Sequence, residues 1–358
     1  MVSCYGRFDN FGGAVRTLKL EVNSVNVTKR YFFVLTILVT LFLTGCRRNV
    51  EPVSQIGFYL DTVVQITLYD NGIDESRIRN NIQACFSLID EYEHLFSATI
   101  EGSDIWNINH SDGKPVTVSD DTIRLLRTAL YYSELSDGRV DLTVQPLSEL
   151  WNFGSEGNTH IPDKSAIEEA LSHIDYHIVQ IDGNTVTLPD PHAAIDLGFI
   201  AKGYIADRLK DYLLEQGVDS ACISLGGNLI TIGTKPDGQP YRIGIQKPFA
   251  DEGETIATFN VTDASVVSSG IYERYFYDDN ILYHHLLDTK TGYPADNNIA
   301  GVSILTPASV DADALSTTCY FLGLDEGMEL IESLDDTEAL FITIDGTLHP
   351  SSGFPQSP

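Results

Sequence analysis

The sequence has few basic residues and few cysteines. Its 358 residues include 22 Lys and Arg against 51 Asp and Glu, which gives a formal net charge of −29. A surface of this sign repels a phosphate backbone, so nucleic-acid binding is excluded. The five cysteines form no Cys-x-x-Cys pair and no Cys/His pair at zinc-ligand spacing, so they predict neither a disulfide framework nor a structural zinc site. We expect Cys85, Cys222 and Cys319 to be buried thiols.

The longest apolar run near the start, residues 31–43, is too short for a comfortable membrane span but typical of a signal-peptide core. Lys29 and Arg30 precede it, and it ends in Leu43-Thr44-Gly45-Cys46, which resembles a bacterial lipobox. The alternative is a short transmembrane anchor with an incidental cysteine. We therefore predict that residues 1–45 are a lipoprotein signal peptide that is removed. Cys46 would carry lipid, and residues 46–56 would tether the protein to the extracytoplasmic face of a membrane, periplasmic or at the cell surface.

The rest of the chain has 43% hydrophobic residues overall, no repeat and no long linker, which is typical of a globular protein. Alternating apolar residues predict strands at 58–69, 194–197, 220–225, 242–246 and 255–261, and a hairpin around 182–184. Apolar residues at helical spacing predict helices at 78–95, 122–135, 164–173, 201–216 and 312–322. This mixture predicts an α+β fold, a single compact domain over residues 57–350 with antiparallel sheets flanked by helices.

Two glycine-containing joints could approach a ligand closely. Residues 196–203 run from a strand through Gly198 into a helix, and Lys202 lies one turn inside it, which suits an anion such as phosphate. Residues 225–228 place paired glycines after a strand. Either segment could equally be a joint or tight turn that binds nothing.

Further along, the polar residues are denser. His285 and Asp288 could form a general base with an orienting carboxylate, although a surface or structural histidine is the common alternative. Asp313 and Thr317 are spaced to share one face of a helix, and their hard oxygen atoms suit Mg²⁺. A helix N-cap with a threonine one turn later is the simpler reading of that pair.

Taken in order, these blocks resemble the ApbE family of FAD:protein FMN transferases, bacterial lipoproteins that attach FMN to a threonine of another protein. The similar segments are residues 60–64, 138–144, 196–203, 225–228, 272–275, 285–294 and 313–317. The resemblance implies that His285 is catalytic with Asp288 beside it. It implies FAD contacts from Leu60, Arg139, Val140, Asp141, Asp196, Lys202 and Leu287, and Mg²⁺ ligation by the Asp313 and Thr317 side chains and the Phe199 carbonyl.

The implied reaction is Mg²⁺-dependent transfer of FMN from FAD, its substrate, to an acceptor-protein threonine in a short Ser/Thr-Gly-Ala-Thr-like motif, with release of AMP. Attack of a hydroxyl on a pyrophosphate phosphorus independently requires a base and a charge clamp. Two alternatives remain open. Thr99 stands where many members have a tyrosine, so looser packing around adenosine could admit water and favour an FAD pyrophosphatase. A non-enzymatic FAD-binding lipoprotein is the other.

Overall fold

The structure is a computed structural model that describes residues 2–4, 51–69, 74–153, 159–251 and 253–355. Residues from Pro52 onward form one compact unit together with the first few residues of the chain. Residues 5–50, which include Cys46 and most of the predicted signal peptide, lie outside the described residues, as does 252. Cys85 and Cys319 are buried thiols as predicted, and burial raises the pKa of each to about 12.

An eight-stranded sheet forms the centre, and helices cover one of its faces. Its strands are, in spatial order, β16 (Leu348–Pro350), β15 (Glu338–Thr343), β14 (Ile299–Thr306), β11 (Ser265–Gly270), β8 (Asn228–Ile232), β7 (Ala221–Leu225), β3 (Thr62–Leu68) and β2 (Val53–Tyr59). All neighbouring strands in it are antiparallel. Val64 and Ile66 of β3 point into the main core with the apolar faces of the helices.

The helices are α1 (Glu75–Phe96), α2 (Asp104–Asn109), α3 (Asp120–Leu135), α4 (Gln145–Trp151), α5 (Lys164–Leu171), α6 (Ala201–Glu215) and α7 (Ser309–Glu332). Serine N-caps begin α2 and α3: Ser103 Oγ accepts from the Trp106 amide (2.9 Å) and Ser119 Oγ from the Thr122 amide (3.1 Å). Together, these helices and the antiparallel sheet confirm the predicted α+β class.

Three small sheets complete the fold. β4 (Val116–Thr117), β6 (Thr185–Thr187) and β5 (Gln180–Asp182) form one, and β12 (Tyr275–Asp278) pairs with β13 (Ile281–His284) in another. In the third, β9 (Tyr241–Gln246) lies between β10 (Thr255–Val261) and β1 (Val2–Cys4). The hairpin of β9 and β10 packs on the sheet face opposite the helices, where Ile243 and Ile245 join Leu229 and Val266 in a second core.

Four details differ from the sequence predictions. Residues 58–69 are the end of β2, a turn and β3, because Leu60 and Asp61 both adopt positive φ (54° and 53°). Residues 194–197 form only an isolated bridge, between Val144 and Ala194. The last helix continues to Glu332 across a kink at Gly323 (φ 85°). β2 begins at Val53, inside the predicted tether 46–56.

Candidate active site

Helices α6 and α7 touch where the predicted metal and phosphate residues lie. A Cβ atom at position 203 would stand 2.2 Å from the Ser309 carbonyl oxygen, so only glycine permits this approach. The Gly203 amide donates to Asp313 Oδ2 at 2.9 Å. Asp207 of α6 accepts from the first amides of α7, those of Ser309 (2.8 Å) and Val310 (2.9 Å), and so fixes the helix that carries Asp313.

Asp313 is buried, with Lys202 as its nearest cation. Lys202 Nζ lies 4.0 Å from Asp313 Oδ1 and donates to the Gly198 carbonyl at 3.2 Å. Burial raises the pKa of the Asp313 carboxyl, while Lys202 and the Gly203 amide act against that rise. Because the Gly203 amide bonds to Asp313, it does not close the usual helical bond to the Phe199 carbonyl. Within the described chain, no hydrogen bond reaches that oxygen.

Hydroxyl groups extend this oxygen-rich cluster. Ser269 Oγ lies 2.7 Å from Ser316 Oγ and 3.2 Å from Thr317 Oγ1, one turn along α7 from Asp313. Asn228 also lowers the pKa of Asp313, although its buried Nδ2 atom makes no hydrogen bond of good geometry. The Asp313 carboxylate, the Thr317 hydroxyl and the Phe199 carbonyl are a set of hard oxygen donors that fits Mg²⁺. In the ranges that the structure covers, no group of three or more His, Cys, Asp or Glu side chains offers another metal site.

His285 lies directly after β13, where its amide donates to the Arg274 carbonyl at 3.1 Å. Its ring is partly exposed, but Nδ1 is buried and has no hydrogen-bond partner among the described residues. Burial, followed by the positive charge of Arg274, lowers the pKa of His285 to about 3, and Lys202 acts in the same direction. The imidazole is therefore neutral at pH 7, with one nitrogen available to a ligand.

Asp288 does not orient His285 in this structure. Its Oδ1 atom accepts from the Lys290 amide at 2.7 Å, and its carbonyl accepts from the Gly292 amide at 2.7 Å, so the residue holds its own turn together. No hydrogen bond joins it to His285 in the part of the chain that the structure describes. The neighbouring His284 is instead tied down, with Nδ1 3.3 Å from the Leu286 amide and Nε2 3.1 Å from the Ala295 carbonyl.

The turn after His285 is docked on the segment that contains Arg139, Val140 and Asp141. Thr289 Oγ1 donates to the Gly138 carbonyl at 2.7 Å, and Trp151 Nε1 donates to the Gly292 carbonyl at 2.8 Å. Leu287 is buried with Trp151 in a third apolar cluster. This packing holds the turn that contains Leu287 beside Gly138, which precedes residues 139–141.

Arg139 and Asp141 use their side chains to build the protein. Arg139 donates to the Phe321 carbonyl (3.2 Å) at the kink of α7 and pairs with Glu326 (3.1 Å). Asp141 accepts from the Thr143 amide (2.7 Å) and hydroxyl (2.6 Å) and from the Tyr176 amide (2.9 Å), yet burial still raises its pKa. Val140 lies between them and is buried.

Asp196 and Leu60 each have hydrogen bonds to other parts of the protein. The Asp196 amide donates to the Leu142 carbonyl at 2.8 Å, and Asp196 Oδ1 accepts from the Gly198 amide at 2.7 Å. Asp196 therefore connects residues 139–142 to the segment that leads into α6. Leu60 occupies the β2–β3 turn, where its amide donates to Glu93 Oε1 at 3.1 Å. A Cβ atom at Gly226 would stand 2.1 Å from Thr62 Oγ1, so this turn packs directly on the glycine pair.

The chain is similar to known proteins over most of its length. The family model described as "ApbE family" matches residues 60–341, which is most of the chain. The chain belongs to the ApbE family.

Two curated relatives of this ApbE chain are named FAD:protein FMN transferase. The relative from Klebsiella pneumoniae (strain 342) is 39% identical over 261 residues, 72% of this chain and 80% of the relative. The one from Treponema pallidum (strain Nichols) is 32% identical over 325 residues, 86% and 89% of the two chains. Among solved structures, the ApbE protein of Thermotoga maritima superposes with a TM-score of 0.77 at 32% identity, covering 85% of this chain and 98% of its own. The flavin transferase ApbE of Vibrio cholerae gives 0.76 at 28% identity with the same coverage.

Three residues of this ApbE site were not singled out by the sequence: Glu273, Asn228 and Ser269. Glu273 Oε1 would lie 3.9 Å from a Cβ atom at Gly227. Protein atoms around its carboxyl group raise the pKa of Glu273, although part of the residue is exposed, and Lys202 opposes the rise. Each residue lies within or beside a block that resembles the family, which was the available signal. Thr99, where a tyrosine was expected, is exposed and lies 3.1 Å from the Ser97 hydroxyl.

Proposed function

We propose that this chain transfers FMN from FAD to a threonine hydroxyl of an acceptor protein and releases AMP. The observation that carries the proposal is the neutral His285 imidazole with a free Nδ1 beside the Lys202 and Asp313 charge pair. Lys202 lowers the pKa of both His285 and Asp313, which supports a base and a charge clamp that act on one ligand. The shared name of the two relatives supports the same reaction.

Mg²⁺ would be held by the Asp313 carboxylate, the Thr317 hydroxyl and the Phe199 carbonyl. When bound there, it supplies positive charge that offsets the charge developing on the phosphoryl oxygens. Two observations support this assignment: among the described residues the Phe199 carbonyl accepts no hydrogen bond, and the buried Asp313 carboxylate has only the Gly203 amide and the more distant Lys202 ammonium to offset its charge.

In the proposed reaction the acceptor hydroxyl oxygen forms a bond to the FMN-side phosphorus of FAD. The bond from that phosphorus to the bridging oxygen breaks, and AMP leaves with the bridging oxygen. His285 accepts the hydroxyl proton, and Lys202 offsets the charge on AMP. The low pKa of His285 describes the protein alone; the phosphate charges of FAD raise it toward a useful basicity.

For FAD itself we propose a site lined by Leu60, residues 139–141, Asp196, Lys202 and Leu287. The side chains of Arg139 and Asp141 already have protein partners, so their segment would contribute shape and backbone groups. Of this set, Lys202 carries the charge that would attract the pyrophosphate.

A second candidate is Mg²⁺-dependent hydrolysis of FAD to FMN and AMP. The exposed Thr99 favours it, because no aromatic ring at this position would shield adenosine from water. In that reaction, water takes the place of the acceptor hydroxyl and the rest of the cleft acts unchanged.

We also propose that lipid on Cys46 anchors the protein to the outer face of a membrane after removal of residues 1–45. The proposal rests on the lipobox-like Leu43–Cys46 sequence. None of the described helices is long and apolar enough to span a bilayer.

The test incubates the chain with FAD, Mg²⁺ and an acceptor domain that carries a Ser-Gly-Ala-Thr motif. In-gel flavin fluorescence after denaturation reports transfer, and AMP is measured in parallel. We expect the acceptor to be labelled and EDTA to abolish the labelling. His285→Ala should reduce labelling at least a hundredfold, whereas Asp288→Ala should have a smaller effect. AMP and free FMN without labelled acceptor would favour the hydrolase, and bound FAD with neither product would leave a binding protein.

A further inference from the structure

Among the described residues, one edge of β9 is covered only by the three-residue strand β1. β10 pairs with one edge, in register Phe259 with Ile243 and Thr258 with Gly244. The other edge pairs only with β1, whose Val2, Ser3 and Cys4 face Ile245, Gly244 and Ile243. β1 belongs to the segment that the sequence predicts to be removed. An unpaired strand edge presents a row of amide and carbonyl groups that another chain can use.

Beside that edge, the central sheet has an uncovered apolar surface. Thr67 is paired with Cys222, and Cys222 belongs to the core beneath the β9–β10 hairpin, so alternate residues along β3 point to the hairpin side. Val63 is on this face, as is its partner Phe58. They are 51% and 70% exposed, so the hairpin stops short of the β2–β3 end. β1 lies on the same side of the sheet, beside β7, β8 and β11.

The end of β9 leads to a cluster of three aromatic rings, of which Phe249 and Tyr275 are exposed and Tyr272 is half-buried. Phe249, at φ 58°, has its ring centroid 5.3 Å from that of Tyr275 and 6.1 Å from that of Tyr272. The Gln246 side chain fixes this loop: Nε2 donates to the Asp251 carbonyl at 2.9 Å and Oε1 accepts from the Gly253 amide at 3.1 Å. Tyr275 follows Arg274, whose carbonyl accepts the His285 amide.

We propose that the acceptor protein binds as an added β-strand along the open edge of β9, over the uncovered face at Phe58 and Val63. This inference rests on the proposed function. The β1 strand shows that this edge of β9 accepts an extended antiparallel segment, and such a segment gains main-chain hydrogen bonds and side-chain contacts on alternate residues. The segment it fits is extended and has apolar residues at alternate positions. Its end at the aromatic cluster brings the neighbouring hydroxyl to His285.

The test uses the full chain and the acceptor domain with the Ser-Gly-Ala-Thr motif. Phe249→Gly removes a ring at a position where positive φ suits glycine, and Phe58→Ser removes an apolar contact from the sheet face. Ser3→Pro removes the competing β1 strand. Tyr131→Ser is the matched control, because Tyr131 is also an exposed aromatic residue (59%) but lies on α3. Direct acceptor binding (Kd), acceptor labelling, FAD affinity and AMP release without acceptor are measured for each.

We expect Phe249→Gly and Phe58→Ser to raise the acceptor Kd about tenfold each, as anchor contacts do, with FAD affinity and acceptor-independent AMP release unchanged. Ser3→Pro should lower the acceptor Kd, and the control should change nothing. Edge-dependent binding without labelling would support this docking site and contradict the proposed function. If all three variants bind and label the acceptor as the unchanged protein does, the docking site would be overturned but the proposed function would not. Ser3→Pro could instead change AMP release while no variant changes acceptor affinity. In that case the edge of β9 would serve the chain's own N-terminal strand, and the docking site would also be overturned.

Discussion

Asp313 is a buried carboxylate with few partners. It is 3% exposed, its single backbone donor is the Gly203 amide, and the Lys202 ammonium is 4.0 Å away. A buried carboxylate with so few partners is unfavourable for folding, which is why burial raises its pKa. Such an arrangement is typical of a group that completes its surroundings with a ligand.

We expect Asp313→Asn to reduce FMN transfer at least a hundredfold at saturating Mg²⁺, because the amide cannot supply the negative charge that holds the cation. Its stability to urea should be unchanged or higher, because the buried charge is gone. Asp311→Asn, two residues earlier on α7 and hydrogen-bonded to the Tyr132 hydroxyl (2.8 Å), is the control. Equal losses of transfer in both variants would contradict the metal assignment.

The stability of the fold should depend on pH through His284. Burial lowers its pKa to about 4 from a usual value near 6.5. A group with a lowered pKa in the folded state stabilises the fold above its unfolded pKa, and this contribution is lost as the pH falls toward 4. Between pH 7 and pH 5 we expect a loss of about 2 kcal/mol from this residue. His284→Gln should flatten that part of the stability curve, measured by urea unfolding; an unchanged slope would show that His284 is not the titrating group.

At the scale of elements, the close contact of α6 and α7 sets the geometry of the site. Gly203→Ala places a methyl group against the Ser309 carbonyl (2.2 Å) and the Asp313 Cβ (2.7 Å), so the helices must separate. We expect a loss of about 3 kcal/mol in unfolding free energy, with reduced transfer. Gly217→Ala, after α6, meets no atom within 4 Å and has only the strain of positive φ (77°). It should cost about 1 kcal/mol and leave transfer intact.

The elements also show what the sequence could predict. The helical spacing of Ile78, Ile82 and Cys85 identified α1 because all three are in its buried face. The turn at Leu60 and Asp61 escaped prediction because neither residue is glycine or asparagine, and packing on Gly226 enforces it. Likewise, nothing local indicates that Asp313 would accept from Gly203, since that contact depends on how two distant helices cross.

In the site, the residue types were more predictable than their partners. Lys202 lies 4.0 Å from Asp313 and lowers the pKa of His285, whereas Asp288 holds its own turn and Arg139 donates to a carbonyl at the kink of α7. A sequence motif specifies which residues recur together, but hydrogen-bond partners are settled by tertiary packing. The role of each implied FAD residue therefore stays a prediction.

At the scale of the whole molecule, the predicted lipid anchor can be separated from catalysis. We expect Cys46→Ser to move the protein from the membrane fraction to the soluble fraction, because the lipid would be lost. Transferase activity of the released protein should remain, since the described site contains no residue before β2. The measurement is fractionation with immunoblotting, followed by the fluorescence assay. Membrane retention of the variant would point to another anchor.

The strand order of the central sheet determines when the chain can fold. β3 has β2 on one side, but its other neighbour is β7, so residues 62–68 wait for residues 221–225 before their second ladder forms. Pairings this far apart in sequence are slow, since loop-closure entropy is lost before the contacts form. A nascent chain that has produced only β2 and β3 therefore has no sheet to complete. During synthesis this delay leaves the second edge of β3 available to other strands until β7 has been made.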